Sequence, residues 1–236
     1  MLLDRKNDKT EDPARPWVMT DNRGRYMYYA NFDWYNYLFR QSRPENEHNV
    51  SVTGGNDKVN YFVSGRLLNQ DGIFKIYHDK YHNYSFRGKL SAKLNKLLTY
   101  TGNVNFNTTE YKYAGFKNEQ QTLYFLSYNL YPNVVPRNPD GTIVQYINQM
   151  TGNSPLGGGH AGFLTANEAR NKRTDKDFVL TNQLDIEVNK DLIFTFSYAY
   201  KDRNRIRNYR NMPFDYSRQE GVIQNFTSGT IKDYYQ

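Results

Sequence analysis

The sequence contains no cysteine and no long apolar run, and each absence excludes a class of protein. Without cysteine there can be neither disulfides nor cysteine metal sites, and the cysteine count does not indicate the cellular compartment. No apolar run approaches the roughly 18 residues that a membrane-spanning helix requires, in keeping with a mean hydropathy of −0.89. A membrane β-barrel passes this test, because every second residue of its strands can be polar.

Motifs for catalysis and for cofactors are also missing. The glycine-rich stretch 157–162 is not followed by Gly-Lys-Ser/Thr, so it does not predict a phosphate-binding loop. His78 and His82 are four residues apart, but they lie in a predicted loop and at a strand start rather than on a helix, so they do not predict a metal site. We therefore expect no enzymatic activity, no cofactor and no metal. The net charge of +7 permits anionic lipid or nucleic acid as a partner, but charge alone does not predict nucleic-acid binding, and we expect none.

Tyrosine, in contrast, is abundant, and residues 81–109 show a strict alternation of side chains. The 22 tyrosines indicate many positions at which one end of the side chain is in apolar surroundings and the other is in water, as at an interface. Tyr84, Phe86 and Leu90 alternate with polar residues, and after a turn at 95–96 the alternation resumes from Leu98 to Phe106. Soluble strands run about five or six residues, whereas these approach the ten or so that a tilted membrane strand needs. The pattern therefore favours membrane-spanning strands.

Six such strands can be assigned, and their connections alternate in length. The predicted strands cover residues 48–53, 59–70, 84–94, 98–107, 178–188 and 192–201. Short turns follow the first, third and fifth strands, and longer connections follow the others. This sorting is typical of bacterial outer-membrane barrels and has no counterpart in a Greek-key sandwich. The predicted fold is all-β: an antiparallel transmembrane β-barrel, represented by about six strands of a larger barrel, with short periplasmic turns and long extracellular loops.

The segments outside these strands carry less regular patterns. Residues 1–47 are irregular, and residues 33–39 predict a short helix capped by Asn31. The long loop over 110–176 contains a helical pattern within 119–130 and a turn at 138–141 between two short strands, 134–137 and 142–146. A loop of this length with structure of its own is more often functional than not.

Several motifs in order resemble the SusC/RagA family of TonB-dependent outer-membrane transporters of Bacteroidota. They lie at residues 33–40, 48–55, 58–65, 69–73, 135–141 and 153–156. The resemblance implies a barrel of about 22 strands with a plugged lumen, under a surface lipoprotein of the SusD type. It also implies import of glycans, or sometimes peptides, driven by the proton-motive force through TonB–ExbB–ExbD. Residues 1–47 would join plug to barrel and lie on the periplasmic side, and residues 48–236 would form the start of the barrel.

The resemblance leaves other parts of such a transporter unassigned. Met1 is followed by Leu-Leu-Asp-Arg-Lys, without the apolar core of a signal peptide, so we expect the chain to be a fragment of a longer precursor that cannot transport alone. The open alternatives are a siderophore or vitamin receptor of the same general type, and a secreted carbohydrate-binding β protein or adhesin. Outer-membrane lipid and lipopolysaccharide are expected partners in the first case.

Candidate functional residues fall into three sets. Loop aromatics would stack on sugar rings, and we select Tyr111, Tyr113, Phe116 and Tyr124. A cationic ladder would continue the polar face of the last strand into the lumen, with Lys201, Arg203, Arg205 and Arg207. Further polar residues would face the lumen: Arg66, Arg87, Lys89, Asn103 and Asn105.

Overall fold

The computed structural model describes residues 10–22, 24–77, 79–113, 119–144, 160–166, 171–210, 214–219 and 226–231, with the single residues 7 and 156. Its main element is one antiparallel sheet of six neighbouring strands, which confirms the predicted fold class. The strands are β3 (Glu45–Gly55), β4 (Val59–Asp71), β5 (Lys80–Lys93), β6 (Leu98–Tyr113), β8 (Asn171–Asn189) and β9 (Leu192–Asn208).

The smaller elements lie before, between and after these strands. They are β1 (Val18–Thr20), β2 (Tyr26–Tyr28), α1 (Trp34–Leu38), α2 (Glu119–Tyr128), β7 (Ile143–Val144), α3 (His160–Ala166), β10 (Phe214–Gln219) and β11 (Phe226–Ile231). β1 pairs with β2, and β7, β10 and β11 form a third sheet. Within the described residues, no helix combines the length and apolar character needed to cross a membrane.

The strand register aligns the alternating side chains into one apolar face and one polar face. Phe86 of β5 lies opposite Gly65 of β4 and Phe106 of β6, and Phe106 lies opposite Phe178 of β8. Because side chains alternate with a period of two, this register places all apolar sets on the same side. We call this side the apolar face and the other side the polar face.

The apolar face is open rather than packed. Val50 is 70% exposed, Phe86 45% and Tyr198 62%. A β-sandwich would bury these residues against a second sheet, about 10 Å away. A contiguous exposed apolar surface of this extent marks contact with a partner or a membrane. The sandwich alternative is therefore not supported for this sheet.

Asparagine side chains close the three short turns, which all lie at one end of the sheet. Asn56 Oδ1 accepts hydrogen bonds from the backbone N–H groups of Lys58 and Val59, each at 2.9 Å. Asn95 Oδ1 accepts from Leu97 at 2.7 Å and Leu98 at 2.9 Å. The turn at Asn189 repeats the pattern, with Asp191 N–H as donor at 2.9 Å. Such Asx turns explain why the sequence marks these reversals so clearly.

The hydrophobic core lies at the opposite end, among the long connections. Trp34 and Leu38 of α1 are buried there with Phe74, which follows β4, and with Leu126 of α2. Backbone hydrogen bonds fix the arrangement, with Lys75 N–H donating to Leu38 O at 2.8 Å and Ala30 N–H to Asn133 O at 3.1 Å. The N-terminal segment thus lies with the long connections. Aromatic side chains of residues 17–44 pack against the loops, and the assignment of residues 1–47 to a junction between plug and barrel stays a prediction.

Several predicted boundaries also need correction. β3 begins at Glu45, and strand pairing continues through residues 110–113 and 171–176, which the sequence assigned to the long loop. These extensions are polar, so the apolar alternation fades although the backbone ladder continues. The N-cap of α1 is Asp33, not Asn31, because the Asp33 carboxylate accepts the Asn36 N–H at 3.0 Å.

Of the elements predicted inside the long loop, the helix, the turn and part of the second strand are present, but the first strand, predicted over 134–137, is wrong, because only an isolated bridge at Arg137 forms there. α2 occupies most of the helical pattern, with Leu126 buried. The turn at 138–141 is closed by Gly141 N–H donating to Asn138 O at 2.9 Å, and Arg137 pairs with Ile143 across it. Residues 145–146 of the predicted second strand lie outside the described residues.

Candidate functional site

The polar face carries the predicted lumen residues side by side. Arg87 lies opposite Asn105, and Lys89 lies opposite Asn103, on β5 and β6. Arg66 of β4 forms a bidentate ion pair with Glu47 of β3, with N–O distances of 2.8 and 2.9 Å. The register thus brings the five residues onto one face, where Arg66 is neutralised by its neighbour.

The cationic ladder lies on the same face but is half neutralised. Arg205 contacts the carboxylate of Asp175 at 2.6 Å, and Arg203 contacts that of Asp177. Lys201 lies opposite Val179 and Arg207 opposite Arg173, without an ion pair among the described residues. Sequence reasoning missed both aspartates, because it placed Asp175 in the long loop and began the next strand only after Asp177. The pairing register, once known, identifies them as the cross-strand partners.

Two of the four predicted aromatic contacts come together at the loop end of the polar face. The rings of Tyr111 and Tyr113 stack with centroids 5.5 Å apart and an interplanar angle of 17°. Tyr81 of β5 lies opposite Tyr111, with ring centroids 6.4 Å apart, and the Arg173 guanidinium lies 5.7 Å from the Tyr111 centroid. Tyr124 projects from α2 and is 61% exposed, outside this group. Phe116 lies outside the described residues.

These tyrosines line a pocket of about 170 Å³ between the sheet and the loops. Sequence reasoning missed Tyr81 and the residues from the N-terminal segment and the 72–79 connection, which only the folded chain brings to this place. The full lining is Arg43, Gln70, Asp71, Gly72, Ile73, Phe74, Asp79, Lys80, Tyr81, Tyr111, Tyr113 and Leu123.

The charges around this pocket are mostly compensated. Asp71 contacts Arg40 at 3.4 Å and Lys80 at 3.8 Å. Burial raises the pKa of Asp79, although its carboxylate accepts the N–H groups of Ile73 and Phe74, each at 3.2 Å. Arg43 is exposed and has no ion pair within the part of the chain that the structure describes. The pocket thus combines ring faces for stacking with hydroxyl and guanidinium donors, which is binding chemistry.

The position of Asp79 also explains why residue 72, which lines the pocket, is a glycine. A Cβ built on Gly72 would lie 1.7 Å from the Asp79 carboxyl carbon. The carboxylate is held by two backbone donors and by burial, so it has no room to move away.

We expect Gly72→Ala to lower the free energy of unfolding by about 2 kcal/mol, because either the carboxylate or the connection must shift. Urea unfolding of the native protein and the variant would measure this. Gly65→Ala is the matched control, since its Cβ meets nothing within 4 Å, and we expect a change under about 0.5 kcal/mol. Equal effects of the two substitutions would show that the close approach to Asp79 is not the cause.

The described residues, at the pocket and elsewhere, do not form a metal-binding site. Among them, no three His, Asp or Glu side chains are grouped so that they could hold a metal ion.

Comparison with known proteins shows that the fold of this chain is similar to that of several solved structures. No model of a protein family matches the sequence, and no curated protein does. Solved structures that match include the RagAB peptide importer in its closed-closed state, at 17% identity and a TM-score of 0.60 over 79% of this chain. The open-open state matches at 17% identity and a TM-score of 0.60 over 88%, and the RagAB peptide transporter at 16% and 0.56 over 74%. The resemblance predicted from the motifs is thus confirmed at the level of fold.

The match covers only part of those proteins. This chain spans 20%, 21% and 19% of the three matched chains, respectively. The chain therefore spans about a fifth of the length of the solved chains that it matches.

Proposed function

We propose that this chain forms consecutive strands of an outer-membrane, TonB-dependent importer of the SusC/RagA type. The observation that carries the proposal is the sheet itself, with one exposed apolar face and one polar face lined by cations. A closed barrel built from such strands would turn the apolar face to lipid and the polar face to the lumen. Its long connections, with the aromatic pocket beneath them, would lie at the extracellular mouth.

The height of the apolar face agrees with a membrane span. From Tyr84 on β5 to Leu94, the residue that follows the strand, ten residue steps of about 3.3 Å give roughly 33 Å. At a tilt of about 40° the band is roughly 25 Å tall, the height of the apolar belt of outer-membrane barrels. The six strands leave unpaired edges at β3 and β9, which the remaining strands of the full-length barrel would satisfy.

The pocket favours an oligomeric substrate with ring or planar groups. We propose glycans as the substrate class, delivered with a SusD-type surface lipoprotein and moved by TonB–ExbB–ExbD. Oligopeptides are the second candidate, since the structures with the same fold belong to a peptide importer. A siderophore or vitamin receptor is disfavoured by the loop motifs, and a secreted adhesin by the open apolar face. The proposed role is transport, without enzymatic activity.

Uptake in cells tests this proposal. We expect the full-length protein in the outer-membrane fraction and uptake of labelled oligosaccharides or oligopeptides that falls at least tenfold when TonB is deleted. Matched cells lacking the transporter provide the background. Recovery of the protein in the soluble fraction, or uptake of both substrate classes that is indifferent to TonB, would contradict the proposal.

A further inference from the structure

The apolar face ends in a group of lysines on the side of the long connections. Lys80 of β5, Lys112 of β6 and Lys172 of β8 lie opposite one another in adjacent strands. Lys176 lies four residues further along β8, on the same face. We call these four residues the lysine belt.

Carboxylates on the same face neutralise only part of the lysine belt. Asp71 approaches Lys80 at 3.8 Å, and Glu110 contacts Lys172 at 2.9 Å. Asp202 of β9, which lies opposite Phe178, is the third carboxylate on this face of the six strands. Lys112 and Lys176 are exposed and have no ion pair among the described residues. Like charges directly opposite in a sheet destabilise it, so an external anion beside Lys112, which lies between two lysines, would be stabilising.

The lysine belt occurs at one end of the apolar face only. From the level of Val63 and Tyr200 to the short turns, the strand residues on this face carry no charge. At the long-connection end, Lys176 is the next residue on this face after Phe178, whereas Lys80 and Lys112 lie three same-face positions beyond Phe86 and Phe106. A group that meets both features must be apolar on one side and anionic on the other, which describes a lipid with a phosphate-bearing headgroup.

We propose that the lysine belt binds the phosphate groups of a lipid in the leaflet at the long-connection end, while its acyl chains cover the apolar face. The inference rests on the proposed membrane span. Lysine is a common phosphate ligand that acts as a point charge, and its long stem lets the ammonium group reach the headgroup level. The lipid would also relieve the repulsion among Lys80, Lys112 and Lys172.

Lipid binding by the full-length protein in neutral detergent tests the inference. The probe is a diphosphorylated lipid A added to mixed micelles, with bound lipid counted by native mass spectrometry. We expect the double variant Lys112→Gln/Lys176→Gln to bind this lipid on the order of tenfold more weakly. The matched control is Lys58→Gln/Lys96→Gln, which removes the same charge at the short turns and should change binding less than twofold.

Two further arms identify the group that is bound. The dephosphorylated lipid should bind the native protein and the double variant equally, and millimolar inorganic phosphate should not displace the diphosphorylated lipid. Equal binding by the double variant and the native protein would overturn the inference, as would an equal loss in the control. If the protein were not membrane-inserted at all, the proposed function would fail first, and fractionation would show this separately.

Discussion

Replacing Leu90 by arginine is expected to reduce the amount of folded protein in the outer membrane at least tenfold. Leu90 is 42% exposed on the apolar face, one position from the middle of the band on β5. In a barrel it would face the hydrocarbon core, where an arginine costs about 2–4 kcal/mol near the midplane. If that face instead met water, the same substitution on an exposed strand position would cost less than about 0.5 kcal/mol.

The adjacent residue is a matched control for this prediction. Ser91 lies on the polar face, opposite Asn60 and Thr101, so an arginine there meets no like charge directly across the sheet. We expect Ser91→Arg to leave the folded amount within twofold of the native protein. The amounts are measured by heat-modifiable gel mobility of outer-membrane fractions. A loss caused by Ser91→Arg and not by Leu90→Arg would reverse the assignment of the two faces.

The double substitution Tyr81→Ala/Tyr111→Ala is expected to raise the KM for uptake on the order of tenfold. Both rings line the pocket, and removing them deletes two of its aromatic surfaces. Each aromatic contact contributes roughly 0.5–1.5 kcal/mol, so two rings account for an effect of this size. The measurement is concentration-dependent uptake of the identified substrate in energised cells, with protein amounts matched by quantitative blotting.

Two variants separate substrate contact from structural damage. Tyr81→Phe/Tyr111→Phe keeps the rings and should retain most of the affinity. Tyr35→Ala removes a tyrosine that is 66% exposed and does not line the pocket, so we expect a change under twofold. If the alanine double variant transported like the native protein, the pocket would not be a substrate site.

The strands could be predicted from the sequence because their signal is local. Alternation from Tyr84 to Phe106 and the asparagine turns at Asn56 and Asn95 require no knowledge of distant residues. The signal fails where the strands become polar, as at Glu110 and Lys172, which pair across β6 and β8 without any apolar pattern. Those extensions are held by backbone hydrogen bonds between the strands, and such bonds do not produce a periodic pattern of side chains.

The candidate site was only partly predictable, because it is assembled from distant segments. Tyr111 was predicted from its aromatic character, but its partner Tyr81 is 30 positions earlier and is brought opposite only by the β5–β6 register. Likewise, Asp175 neutralises Arg205 through a cross-strand contact that depends on the exact pairing of β8 with β9. The position of Arg43 at the pocket follows from the packing of the N-terminal segment against the loops. None of these contacts can be read from the spacing of residues along the sequence.

Site-directed spin labelling along β5 tests the orientation of the two faces most directly. This chain has no cysteine, so single cysteines can be placed in it from Tyr84 to Leu94 without a native thiol in its own sequence. The full-length protein would be reconstituted in lipid vesicles and probed with oxygen, which concentrates in lipid, and with a water-soluble nickel chelate. We predict that labels at even positions collide with oxygen and labels at odd positions with the chelate. Chelate access at Phe86 and Leu90, with oxygen access at Arg87 and Ser91, would contradict the account.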